Sequence, residues 1–275
     1  LNINLRDNDV ISNRYLDMIG EGYKDNYLLN FAAARLSYNL SDNNYCIKVL
    51  ENRPILDIDY SFYLLDYLQA MSYLYKLDYD KANTYFINYI NNQKQGSYIK
   101  SSYQKLAWIA YLQNDSLLVD RYLKQVISKG NEFNVVDKVA LRETLKEDFS
   151  HPILLKARLL YDGGYHQESL SILNKKVLKN NIEYFYRLAR VKHKLLSNEL
   201  DVISYYQKVI DMNNKNINSS YYVPMSFLQI GLIYENNEKL LAARNSLNKC
   251  LLISGFDYQN GIHRRAKASL SRMKD

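Results

Sequence analysis

One spacing pattern recurs along this 275-residue chain and limits the folds that it can adopt. A small residue is followed three positions later by a large one. A second small residue comes nine positions after that, and a second large one four positions later still. The two most regular copies are Ala70, Tyr73, Ala82, Phe86 and Gly231, Tyr234, Ala243, Leu247. Residues three or four apart share one face of a helix. The pattern therefore predicts pairs of helices that are joined by short turns and touch at the small residues.

Four other segments carry the pattern less regularly. Ala157, Leu160, Ser169 and Leu173 fit it, and Ala107, Ala110, Val119 and Leu123 keep the spacing but not the sizes. Residues 26–50 fit with Ala34, Cys46 and Leu50. Residues 184–210 fit with Ala189 only if Val202 and Tyr206 sit one position late, which predicts one extra residue in that turn. The other predicted turns are Lys76 to Asp78, Gln113 to Asp115, Asp162 to Gly164 and Asn236 to Glu238.

These helical hairpins resemble the tetratricopeptide repeat family, whose repeat is a helix–turn–helix unit with a similar small and aromatic pattern. The resemblance covers roughly residues 25–255. The chain lacks the family's tryptophan near the start of the first helix, and most of its repeats lack the closing proline. Residues 221–270 also resemble the last repeat of inclusion-body-clearance-type tetratricopeptide proteins. The resemblance implies an all-α, right-handed α-solenoid of about six hairpins.

The composition agrees with a helical fold. The chain has 9 Gly and 3 Pro, whereas average usage would give roughly 19 and 14. Glycine and proline mark hairpins and tight turns, so this shortage disfavours sandwiches, barrels and propellers. The sequence also contains no glycine-rich loop of the kind that holds phosphate groups.

Two segments fall outside the hairpins. Val135 and Val139 are four apart, as are Leu141 and Leu145, so we predict an extra helix at 135–147 with these residues on a broad apolar face. This helix would divide a continuous solenoid into residues 1–134 and 135–275. Residues 258–273, with Ile262, Ala266 and Leu270 on one face, predict a polar capping helix. Residues 9–20 are a candidate N-terminal helix.

The sequence offers no local motif for catalysis or metal binding. The histidines, His151, His166, His193 and His263, have no second His or Cys at a ligand spacing. Cys46 and Cys250 lie at or near packing positions and are predicted to be buried. Glu143 and Glu147 are predicted to lie on an exposed helix face. We therefore predict a protein that is not an enzyme and needs no metal or cofactor.

The resemblance implies that the first helix of each hairpin lines a concave groove that binds a protein or peptide. The groove candidates are Tyr67, Met71, Gln104, Trp108, Tyr111, Arg158, Tyr161, Tyr186 and Arg190. They are mostly aromatic and cationic, a set that is common in interfaces. Because the chain has 27 Tyr, each tyrosine has packing between helices as a competing role. The basic and Asn-rich clamp that some family members use for C-terminal carboxylates is not met here.

Two other functions remain open. A net charge of +7 and the basic runs at 190–194 and 263–267 allow a nucleic-acid-binding helical repeat protein. The first residue is Leu1 and not Met, which allows an envelope-assembly or uptake accessory protein. The compartment would be the cell envelope or periplasm if an upstream signal was removed, and otherwise the cytoplasm. No apolar run is long enough for a transmembrane helix, and the sequence does not define the oligomeric state.

Overall fold

The computed structural model describes residues 5–55, 62–93, 96–146, 149–175, 178, 180–213 and 221–273. Within these residues the regular structure is entirely helical. The helices are α1 Leu5–Ile19, a 3-10 helix Gly20–Lys24, α2 Tyr27–Asn39, α3 Asn43–Glu51, α4 Leu64–Tyr75, α5 Tyr79–Asn92, α6 Ile99–Leu112, α7 Ser116–Ser128, α8 Val135–Leu145, α9 Pro152–Asp162, α10 His166–Lys175, α11 Ile182–Lys194, α12 Glu199–Asn213, α13 Tyr222–Asn236, α14 Leu240–Leu252 and α15 Gln259–Arg272. The all-α prediction is confirmed for the part of the chain that is described.

The packing divides the chain into two compact units. Unit 1 ends at Tyr165 and contains α1 to α9, and unit 2 begins at His166 and contains α10 to α15. The two helices of the hairpin at 151–173 thus fall in different units. The division at 134/135 and the handedness of the solenoid stay predictions.

The hairpin turns share one backbone geometry, which the sequence pattern alone does not reveal. One residue in each turn has a positive φ, between 54° and 86°. The N–H of the next residue donates to the carbonyl five residues earlier, at 2.9–3.0 Å. The positive-φ residues are Ser41, Leu77, Asn114, Gly164, Leu196 and Glu238. This arrangement is the Schellman motif that ends many helices. It shows that the hairpins are copies of one structural unit.

Most residues of the spacing pattern are buried where the two helices of a hairpin meet. Ala70, Ala82 and Phe86 have no exposed surface, and the same holds for Ala243 and Leu247. A Cβ added at Gly231 would lie 2.6 Å from Cγ of Leu247, so only glycine lets α13 and α14 approach this closely. In the looser copy, Val119 and Leu123 are only half-buried, and Val126 fills the core instead.

The extra residue predicted for the fifth hairpin is present. Residues 195–198 join α11 to α12, whereas residues 76–78 join α4 to α5. Val202 and Tyr206 are buried despite the shift in spacing. The turn absorbs the insertion, and the packing of the two helices is kept.

The extra helix is also present, but it buries a different face from the predicted one. Val135 and Leu145 are 73% and 62% exposed, whereas Asp137, Ala140 and Thr144 are buried. The Asp137 carboxylate accepts hydrogen bonds from the backbone N–H of Tyr98 at 2.6 Å and of Ser101 at 2.9 Å, at the start of α6. Capping the N-terminus of α6 and the close approach at Ala140 decide the orientation of α8. The apolar pattern therefore misled the prediction, and Glu147 and Asp148 lie outside the described residues.

α8 stacks on unit 1 as the next hairpin would. Just as α4 packs on both α2 and α3, α8 packs on both α6 and α7. α9 then packs against α4. Its Leu155 and Leu159 belong to the same buried cluster as Tyr67, Met71 and Trp108. We call the side of α4 and α6 that carries Tyr67, Met71, Gln104 and Trp108 the inner face of unit 1; α9 covers it.

The first and last helices match the predicted positions. α1 lies against α2, and α15 packs against α13 and α14. Ile262 and Ala266 of α15 are buried in a cluster with Leu247 and Cys250, and Leu270 packs against it. Both cysteines are buried, as predicted. Burial raises the pKa of the Cys250 thiol to about 11 and also raises that of Cys46, so neither is an activated thiol.

Candidate functional site

The nine candidate residues divide into a buried set and an accessible set. Tyr67, Met71, Gln104 and Trp108 are only 2–8% exposed, because they pack against other helices of unit 1, and Arg158 of α9 lies over the Trp108 ring. Tyr111, Arg158 and Tyr161 are partly exposed. Tyr186 and Arg190 are in unit 2, the first buried and the second partly exposed. Residues in the first set cannot meet a partner while α9 stays in place.

Tyr67 is a packing residue whose polar end is satisfied inside unit 1. Its hydroxyl lies 2.9 Å from the Ser101 hydroxyl. Its ring centroid is 4.6 Å from that of Tyr98 and 5.5 Å from that of Tyr89. Burial raises its pKa well above the ordinary value, so it stays a neutral phenol. These contacts join hairpin two to the start of α6.

Trp108 lies between two cations. The Lys105 ammonium is 3.7 Å from the centroid of the Trp108 ring, and the Arg158 guanidinium is 5.1 Å from it. Cations over an indole face are attracted by the ring quadrupole. Since Arg158 comes from α9 and Trp108 from α6, this contact ties α9 to the inner face. The Arg158 side chain remains 30% exposed and lies 3.8 Å from the Asp162 carboxylate.

A hydrogen-bonded chain runs from Trp108 towards α8. Lys105 Nζ donates to Gln104 Oε1 at 2.6 Å, and Gln104 Nε2 donates to Glu143 Oε2 at 2.8 Å. Burial lowers the pKa of Lys105 to about 7, against the opposing effect of Glu143. Burial raises the pKa of Glu143, but Arg158, Lys105 and the Gln104 hydrogen bond outweigh it, so that pKa lies below the ordinary value. We call Gln104, Lys105, Glu143, Arg158 and Asp162 the polar cluster.

Two tyrosines continue this cluster towards the first hairpin. The hydroxyls of Tyr38 and Tyr75 are 2.9 Å apart, and their rings stack at 5.7 Å. Burial raises the pKa of both, and the negative charge of Asp162 raises it further. Both therefore remain neutral hydrogen-bonding groups at physiological pH. They connect the first and second hairpins to the C-terminal end of α9.

The candidates in unit 2 form a separate aromatic and cationic surface. The Arg190 guanidinium is 5.8 Å from the centroid of the Tyr186 ring, and Tyr186 packs against Tyr222 at 4.9 Å. The C-terminal helix contributes Arg265, which the prediction missed. Burial lowers the pKa of Arg265, and the nearby Arg190 lowers it further, while Tyr186 acts in the opposite direction. Arg265 is part of the basic run 263–267, so its charge was visible in the sequence. Its position near Arg190 and Tyr186 was not.

Some basic residues are engaged within the protein, and among them Lys192 belongs to the basic run at 190–194. Lys192 lies 5.3 Å and Lys208 5.0 Å from the centroid of the Tyr205 ring. Arg272 makes two 2.9 Å hydrogen bonds with the Glu235 carboxylate. Part of the positive charge of the chain, including that of Lys192, is therefore used to hold helices together.

Sequence reasoning missed Lys105, Glu143 and Asp162. Glu143 was expected on an open helix face, yet it bonds Gln104 and faces Lys105. A lysine directly before the apolar stretch from Leu106 to Leu112 is the one signal that could have drawn attention to this place. The opposite charges near Lys105, such as Glu143 and Asp162, come from helices far along the chain, so local spacing could not identify them.

The described residues hold no group of three or more His, Cys, Asp and Glu that could bind a metal ion. Among the same residues, no helix is both long and apolar enough to span a membrane. The polar cluster and the rings beside it can bind another molecule through charge, hydrogen bonds and aromatic faces.

Comparisons with known proteins leave the fold assignment to the geometry. No family model matches the chain, and no curated protein matches it. A structure search finds the crystal structure of the P58(IPK) tetratricopeptide repeat domain, with 14% identity and a TM-score of 0.34. The match covers 90% of this chain and 66% of that one, and a likeness at this score carries no argument. The recurring hairpins with one turn geometry do show the fold of the described residues: it is all-helical and built from repeated helical hairpins.

Proposed function

We propose that this protein is a non-catalytic scaffold that binds a protein or peptide partner. The observation that carries the proposal is Arg158, which is partly exposed and positioned over the Trp108 ring at 5.1 Å. Arginine, tryptophan and tyrosine are enriched among residues that dominate binding energy. Contact with Trp108 and Asp162 restrains the Arg158 side chain, which lowers the entropy cost of binding.

Each unit has its own accessible candidates to test. In unit 1 they are Tyr111, Arg158 and Tyr161, and in unit 2 the corresponding residue is Arg190. Trp108→Ala is unsuitable as a probe, because truncating a buried Trp typically costs about 3–5 kcal/mol and would affect folding. The partly exposed residues can be replaced at much lower cost.

The test compares two triple variants in affinity capture from the source cell with quantitative mass spectrometry. The probe variant is Arg158→Ala, Tyr161→Ala, Arg190→Ala. The control variant, Tyr15→Ala, Arg121→Ala, Lys124→Ala, removes one exposed tyrosine and two exposed cations elsewhere. We expect partners captured by the wild type and the control to fall at least tenfold with the probe. Equal recovery by both variants rejects this surface.

A further inference from the structure

One face of α9 is held on unit 1 in the manner of a helix bound in a groove, and Leu154, Ala157 and Leu160 of α9 are also buried. Leu155 and Leu159 are four residues apart, are 2% and 1% exposed, and enter the buried cluster that contains Tyr67, Met71 and Trp108. Helices that bind in grooves use anchors at this i, i+4 spacing. The surface beneath α9 is the side of α4 and α6 that a helical repeat array commonly offers to ligands.

Polar contacts fix both the side and the end of α9. Arg158 lies over the Trp108 ring and Asp162 lies beside Arg158. Beyond the helix end, the Tyr165 hydroxyl accepts a hydrogen bond from Asn43 Nδ2 at 3.0 Å and donates one to Asn44 Oδ1 at 2.8 Å. These contacts reach back to the first hairpin. The position of α9 is therefore specific and not a loose association.

The helical stack below α9 is complete without it. α8 packs on α6 and α7 and caps α6 through Asp137, so the end of the stack is already covered. Removing α9 would uncover the inner face but would leave every contact between α2 to α8 in place. An element with this property is a candidate for local opening.

Covering the inner face also has an energetic cost, which is the burial of the Lys105 ammonium group. Lys105 is only 9% exposed, and its ammonium group is separated from water beneath the ring of Trp108 and the polar cluster. Burial lowers the pKa of Lys105 to about 7, which reports an unfavourable desolvation of the charged form. Opening would restore water to this group and would offset part of the lost leucine burial.

We propose that α9 is a removable internal ligand, and that the inner face of unit 1 accepts in its place an amphipathic helix of a partner. The partner helix carries two leucines four residues apart, an arginine just before the second leucine, and an acidic residue one turn later, as Leu155, Leu159, Arg158 and Asp162 do. This goes beyond the proposed scaffold function, because it assigns a second surface that a partner can reach only when α9 leaves. It also makes the free protein self-inhibited.

Hydrogen exchange on the full wild-type chain tests whether α9 opens. We expect backbone amides of α9 to exchange at least tenfold faster than those of α4 and α6, because they exchange by local release. Equal protection of α9, α4 and α6 would mean that α9 leaves only when unit 1 unfolds, and that result overturns the proposal.

A peptide competition assay tests the acceptor face. A fluorescent peptide of residues 151–165 is titrated into the wild type and into Leu155→Ala, Leu159→Ala, whose internal helix has lost its anchors. We expect at least tenfold tighter binding to the variant, and none with a peptide that carries the same two alanines. Circular dichroism checks that the variant keeps its helical content; if it does not, the single substitution Leu159→Ala replaces it with the same expectation.

Matched leucines in unit 2 supply the control. Leu228→Ala, Leu247→Ala removes two fully buried leucines without touching α9. Equal peptide binding by this control, or no binding to the loosened variants, rejects the acceptor face. The outcome is independent of the capture experiment, since a failed peptide assay beside a successful capture test would remove α9 exchange but keep the scaffold function.

Discussion

At the residue scale, Gly164 shows how a backbone position can demand glycine for two separate reasons. Its φ is +86°, and a Cβ there would lie 2.0 Å from the Ser41 carbonyl oxygen. Gly255 has a similar φ of +79° but open space around it. Gly164→Ala should therefore lower the free energy of unfolding by about 3 kcal/mol or more, and Gly255→Ala should lower it by about 1 kcal/mol. Denaturant unfolding of both variants measures the difference, and equal costs would show that the Ser41 contact is unimportant.

Lys105 gives a pH-dependent prediction. Its pKa is lowered from 10.5 to about 7 in the folded protein. Below pH 7 the ammonium is charged in both the folded and unfolded chains, so the full burial cost is present. As the pH rises from 7 to about 10.5, only the unfolded chain keeps the proton, and the folded state gains stability.

Lys105→Met removes this dependence. The difference in the free energy of unfolding between Lys105→Met and the wild type should be more favourable to the variant at pH 6 than at pH 9.5, by on the order of 1–3 kcal/mol. Urea unfolding at the two pH values measures this difference. The exposed Lys124 provides the control, because Lys124→Met should show no such dependence. A pH-independent effect at position 105 would mean that the ammonium stays hydrated.

At the element scale, Asp137 determines how α8 is placed. Its carboxylate is buried and receives two backbone N–H groups at the start of α6. Asp137→Ala leaves these donors without their acceptor and should cost about 3 kcal/mol. Asp115 caps α7 through one exposed bond to Leu118 N–H, so Asp115→Ala should cost about 1 kcal/mol.

Equilibrium unfolding and amide exchange at Ser101 check this prediction. Asp137→Ala should speed exchange at Ser101, whereas Asp115→Ala should leave it unchanged. If the two aspartates cost the same, Asp137 is an ordinary cap and does not hold α8.

The elements differ in how well the sequence predicts them. The hairpins were predictable because their helices are neighbours in sequence and meet at fixed small residues such as Ala70 and Gly231. The face of α8 was not, since a capping carboxylate competes with apolar side chains and the α6 N-terminus lies about 35 residues away. The contact between Trp108 and Arg158 depends on the return of α9 to an earlier helix, and no local pattern encodes that.

At the scale of the whole molecule, the two units should respond separately to loss of their cores. Leu68 is fully buried in unit 1 and Leu247 in unit 2. Replacing either by Ala should cost about 2–5 kcal/mol. Since repeats contact mainly their neighbours, Leu247→Ala should speed amide exchange in α13 and α14 more than in α4.

The same measurement locates the boundary between the units. Amides of α8 and α9 should exchange faster in Leu68→Ala than in the wild type if the cooperative boundary is at 165/166. If they follow Leu247→Ala instead, the boundary at 134/135 predicted from the sequence is the cooperative one. Uniform acceleration along the chain by either substitution would mean that the protein unfolds as a single cooperative unit.

The shared hairpin turn has a consequence for the evolution of the chain. Only one of its six positive-φ positions holds glycine; the others hold Ser41, Leu77, Asn114, Leu196 and Glu238. The turn is held by main-chain hydrogen bonds, so the side chain at this position can vary; Gly164, which packs against the Ser41 carbonyl, is the exception. Repeats built this way can lose their recognisable sequence signature and keep their backbone geometry.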